Sequence, residues 1–196
     1  MKYLLIVLSG TVATLTGNAQ IQFGINAGVN FSSLIGPHAS GSGVKIGFQG
    51  GGLVAIPIAG SFSLQPEVNY SIQGNKSTPN GFAYDTKETY INIPVLIKYK
   101  RASGFFAETG PQLGFLLSAN ISGGPGSGDV KSIYKPADLS WAFGLGYFVK
   151  SVNAGVDARY NLGLSNTVVA SEYGSGGWLL TSVLQVGVFF LFGGGK

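Results

Sequence analysis

Glu67 and Glu108 are the residues best equipped for acid–base work, because two carboxylates facing one another across a cleft can divide the roles of proton donor and base. Each stands in a stretch of alternating residues, and Lys98 and Arg159 stand in similar stretches. Ion pairing is therefore the simpler use of both acids. The single histidine, His38, follows Pro37 in a turn-rich segment. One His cannot make a zinc site. A Ser/His/Asp set would have to combine it with Asp85 or Asp129 and a loop serine, and no Gly-x-Ser-x-Gly signature accompanies them. Gly41-Ser42-Gly43 precedes a strand pattern rather than a helix, so it is no phosphate cradle. Asp85, Glu88, Asp129 and Glu172 are scattered loop acids without the spacing of a calcium loop. The chain therefore reads as no enzyme, with no catalytic, metal or cofactor-binding residues expected.

The elements that position these side chains follow a period of two. From Phe62 onward, Phe62, Leu64, Pro66, Val68, Tyr70 and Ile72 alternate with Ser63, Gln65, Glu67, Asn69, Ser71 and Gln73. One face is apolar and the other polar, as in a strand with two different surroundings. Seven further segments repeat the pattern. Strands are predicted at 21–33, 44–58, 62–73, 88–100, 104–118, 138–150, 152–164 and 179–192. In the last of these the parity is undecided, because Phe189 to Phe192 are apolar on both sides. Connections alternate in length: short at 59–61, 101–103 and 150–151, long at 34–43, 74–87, 119–137 and 165–178.

Charge and composition say which surroundings these are. Charged residues make up 10% of the 196 residues, against roughly 25% in an ordinary soluble domain. Apolar residues are an ordinary 45% and Gly is abundant at 32. Past the first 20 residues no run of about 18 apolar residues would make a spanning helix. A chain short of charge and without such a helix fits a closed transmembrane β-barrel. Glu67, Lys98, Glu108, Asp157 and Arg159 all fall on the polar parity, which random placement would achieve about once in thirty trials. They are expected to form a structural charge network in the lumen. Aromatics on the apolar parity gather at strand ends: Phe23, Phe62, Tyr99, Phe105, Tyr147 and Phe192 at the short-turn end, Phe31, Phe48, Tyr70 and Trp141 at the long-loop end. Two such rings are expected to be interfacial girdles. Glycines such as Gly24, Gly28, Gly47, Gly51, Gly110 and Gly144 sit on the inward parity and leave room for larger lumenal side chains.

The N-terminus reads as a secretory signal: Lys2, an apolar stretch from Tyr3, and a small-x-small site at Gly17-Asn18-Ala19. Cleavage after Ala19 would leave a barrel domain at 20–196. There is no Cys, hence neither a disulfide nor a lipidated cysteine. The net charge of +4 comes from scattered residues and predicts no nucleic-acid partner.

Several strand motifs resemble a known family. These are Gly28-Val29-Asn30-Phe31, Leu64-Gln65-Pro66-Glu67-Val68-Asn69-Tyr70, Ile91-Asn92-Ile93-Pro94-Val95-Leu96-Ile97-Lys98-Tyr99, Glu108-Thr109-Gly110-Pro111-Gln112-Leu113-Gly114 and Asp157-Ala158-Arg159-Tyr160-Asn161-Leu162-Gly163-Leu164. They are similar to the PorT-type outer-membrane β-barrel family of Bacteroidetes. The resemblance covers the chain from Gln20 onward, although Gly193-Gly194-Gly195-Lys196 follow Phe192 where many outer-membrane barrels end on an aromatic residue. It implies a small barrel in the outer membrane; with the eight alternating segments, the expectation is an all-β, eight-stranded, antiparallel up-and-down barrel contacting lipid and other envelope proteins. The expected role is structural or interactive, with a filled lumen and four surface loops. The alternatives are a narrow porin-like channel and an accessory subunit of a secretion apparatus.

Overall fold

The computed structural model describes residues 20–37, 39, 42–124, 126–169 and 178–193. The expected signal segment, His38, Glu172 and the last three residues lie outside these.

Strands follow one another as antiparallel neighbours: β1 (Gln22–Ile35), β2 (Gly43–Ala59), β3 (Phe62–Ser77), β4 (Tyr84–Lys100), β5 (Phe105–Gly123), β6 (Gly128–Asp129), β7 (Ala137–Val149), β8 (Ala154–Gly163) and β9 (Leu180–Leu191). Pairing of β1 with β9 and of β4 with β5 closes the sheet on itself. β6 is a two-residue piece laid on the far end of β5 inside a loop. Eight long strands therefore form a closed barrel, and closure leaves no strand edge unpaired.

Side-chain alternation runs through the whole wall. Glu67 is 2% exposed and its neighbour Val68 is 55% exposed. The undecided last strand resolves in the same way: Thr181, Val183, Gln185, Phe189 and Leu191 point inward, and Leu184, Val186, Val188 and Phe190 point outward. Its sequence is apolar on both sides for a physical reason. Its inner face at that level joins Leu53, Phe106 and Phe148 in an aromatic plug near the short turns, where the Phe106 and Phe189 rings meet edge-on at 5.8 Å and those of Phe148 and Phe189 stack at 6.0 Å.

The expected loops at 74–87 and 119–137 are too long. β3 continues to Ser77, β4 begins at Tyr84 and β5 runs to Gly123, with Lys76 opposite Asp85 and Lys87 opposite Asn120. Backbone ladders persist here while alternation fades, because polar residues occupy both faces of the extended sheet. A bulge in β5 opposite Thr89 and Tyr90 also shifts the side-chain phase.

Small inner-wall residues let the strands coil tightly. A Cβ added to Gly51 would collide with the Val68 carbonyl oxygen and with Asn69, whereas one added to Gly52 would sit 3.8 Å from the Gly24 oxygen. Gly51→Ala is expected to cost about 1–3 kcal/mol by overpacking, and Gly52→Ala almost nothing. Urea titrations of the two variants refolded in the same vesicles would separate them; equal midpoints would contradict the close approach at Gly51.

Candidate functional site

The predicted lumenal charges converge at mid-barrel. Arg159 on β8 donates from Nη1 and Nη2 to the two carboxylate oxygens of Glu67 on β3, each at 3.1 Å, and from Nε to Glu108 on β5 at 2.8 Å. Around the closed sheet β3 and β8 are four strands apart, so this fork spans the barrel. The planar guanidinium suits two carboxylates because its donors diverge in one plane. Lys98 on β4 pairs with Glu108 at 3.0 Å. Its Nζ also lies 4.0 Å from the Phe106 ring centroid and 4.6 Å from that of Phe189, which couples the charge layer to the aromatic plug. Asp157, two residues along β8 from Arg159, lies half-buried on the same inner face.

Neutral donors complete the layer. Gln65, Asn69 and Asn26 donate to Glu67 at 2.7, 2.8 and 3.3 Å. Gln65 and Asn69 are neighbours of Glu67 on the inner parity of β3, so the pleat itself delivers them. Above it, Asn30 donates to Ser71 at 3.0 Å and receives Gln185 at 3.1 Å, while Asn161 donates to Gln185 at 2.7 Å. The mid-lumen thus holds charge-assisted and amide hydrogen bonds between several walls. Such a lattice orders side chains and offers no substrate-sized opening between Glu67 and Glu108, which share one guanidinium.

Two acids named as loop residues belong to β4. Glu88 is 1% exposed, and the Tyr90 hydroxyl donates to it at 3.0 Å. Asp85 forms an ion pair with Lys45 of β2. The inner parity of Tyr90 and Asn92, continued two residues back, is the sequence signal that locates Glu88. Asp129 lies in β6. Asp138, at the start of β7, receives Ser165 at 2.7 Å and Thr181 at 3.0 Å, a set that sequence reading missed. Among the described residues no group of three or more His, Asp or Glu side chains is placed to hold a metal ion.

Among the described residues of the long connections, 126–136 and 164–169 meet through a bridge between Tyr134 and Val168, and Lys135 N–H donates to the Thr167 carbonyl at 2.8 Å. Thr167, Val168 and Leu179 are buried as a result.

All ten aromatics assigned to the two rings point outward. At the short-turn end Phe62 meets Tyr99 at 5.0 Å and Phe105 meets Tyr147 at 4.8 Å between ring centroids. At the other end the Trp141 indole donates to Thr109 across the outer wall at 2.8 Å.

A family model described as outer membrane protein beta-barrel domain matches residues 16–169. The chain belongs to that family. Among solved structures, this outer-membrane barrel is similar to Neisserial surface protein A, at 18% identity and a TM-score of 0.57, over 86% of this chain and 96% of that one. It is also similar to Ail, the attachment invasion locus protein of Yersinia pestis, at 14% identity and a TM-score of 0.49, over 87% of this chain and 98% of that one. No curated protein matches its sequence. The likeness to Neisserial surface protein A extends to the eight-stranded fold, and outer-membrane location follows from the family.

Proposed function

We propose that this outer-membrane barrel is a non-conducting structural or interaction platform, with a side-chain-filled lumen and loops presented at one face. One observation carries the reading: Arg159 reaches across the barrel to Glu67 and along the wall to Glu108 in a layer of amide hydrogen bonds. The aromatic plug on one side of that layer and the packed loops on the other support the same reading. The outward aromatics act as girdles at the two membrane interfaces, and residues 1–19 act as a cleaved export signal. The strand motifs from Leu64 to Tyr70 and from Asp157 to Leu164 support membership of the PorT-type branch, for which service to a secretion machine is the alternative role.

Purified barrel in planar bilayers is expected to give no steady conductance. Stable single-channel steps that change when Glu67 or Arg159 is neutralised would overturn the filled-lumen reading and favour a narrow channel. Deleting the gene and comparing exported proteins tests the secretion role; an unchanged export profile would remove it.

A further inference from the structure

The outer wall carries a groove of about 620 Å³ at the short-turn end, where β4, β5, β7, β8 and β9 pass side by side. Its floor is low because Ala107 and Ala158 stand outward where neighbouring positions carry large side chains. Ala107 pairs with both Tyr99 and Leu145, and Ala158 pairs with both Leu145 and Val186. Tyr99, Phe105 and Tyr147 wall it toward the turns, and Arg101 lines its mouth. The lining is apolar apart from Arg101 at one end and Asp157, whose side chain lies on the inner face of β8.

The connections at that end carry charge of one sign. Those at 60–61, 101–104 and 150–153 contain Arg101 and Lys150 and no acid, while Lys100, which closes β4, turns its ammonium onto the Phe148 ring of the inner plug at 4.5 Å. Phe148 N–H donates to the Gly104 carbonyl at 2.9 Å, which ties the Arg101 turn to the strand leading into Lys150. Arg101 N–H donates to the Phe105 carbonyl at 2.8 Å and Gly104 N–H to the Arg101 carbonyl at 3.0 Å, so the turn is held by its own backbone.

We infer that this groove is a site for one anionic glycerophospholipid of the leaflet at the short-turn end, with an acyl chain over Ala107 and Ala158 and the phosphate at Arg101. The inference rests on the outer-membrane reading above. Ordinary lipid contact with a barrel wall has no preference for headgroup or position. Here Arg101 and the sunken floor adjoin, so a molecule with one negative head and a flexible apolar tail satisfies both together.

The test is native mass spectrometry of full-length protein purified from membranes in detergent and titrated with dioleoyl phosphatidylglycerol or dioleoyl phosphatidylcholine. Retention of phosphatidylglycerol is expected to exceed that of phosphatidylcholine by about fivefold, the effect of one basic residue near an anionic lipid. Arg101→Glu should abolish the preference. Ala158→Leu, which fills the floor with another lipid-compatible side chain, should reduce retention of both lipids. Equal retention by the unaltered barrel, a preference that survives Arg101→Glu, or retention unchanged in Ala158→Leu would each overturn the site. A heat-dependent gel shift on every sample distinguishes that failure from loss of the barrel itself.

Discussion

Arg159→Met is expected to destabilise the barrel by about 3–5 kcal/mol, the range for removing one partner of a buried ion pair. The loss comes mainly from what remains. Glu67 would keep only the neutral donors Gln65, Asn69 and Asn26, and Glu108 would keep only Lys98. Lys98→Met should cost less, because Glu108 retains the Arg159 Nε–H at 2.8 Å. Combining Arg159→Met with Glu67→Gln should recover part of the loss, since the amide needs no counter-charge. Urea unfolding in vesicles across this double-mutant cycle reads the coupling. Strictly additive single effects would mean that the fork between β3 and β8 carries no joint stabilisation.

Val68→Arg carries the second large effect. Val68 follows Glu67 in sequence and lies on the opposite face, between the outward rings of Phe62 and Tyr70 on the same strand. An arginine facing lipid near mid-bilayer costs about 2–4 kcal/mol. The expected outcome is a destabilisation of about that size in vesicles, with Val68→Leu near neutral. If the outer wall faced water, the arginine would be harmless, so a variant as stable as its parent would contradict the lipid-facing assignment.

Face assignment was legible in the chain because a strand alternates with period two and a lipid wall excludes charge. Glu67 beside Val68, and Lys98 between Ile97 and Tyr99, carry that signal within three residues. Pairing within the lumen was not legible. Whether Arg159 reaches Glu67, 92 residues away, depends on the circumference and stagger of the closed sheet, which no local pattern records. Loss of alternation hid other features for two different reasons. At Phe189 to Leu191 the inner face is itself apolar, because it belongs to the aromatic plug. At Lys76, Asp85 and Lys87 polar residues flank both faces, so the strand ends resembled loops while their ladders continued. Glu88, at the first position of the expected strand 88–100, reads as a loop acid for that second reason, although its parity matches that of Tyr90.

The closed barrel sets its apolar wall in the outer membrane and its charges inside. Cell fractionation followed by gel electrophoresis in SDS, with and without boiling, tests it most directly. The protein is expected to stay with the outer-membrane fraction, and its unboiled band to shift in mobility on heating, as the SDS-resistant barrel unfolds. Protein in the soluble fraction, running at one mobility whether boiled or not, would contradict it.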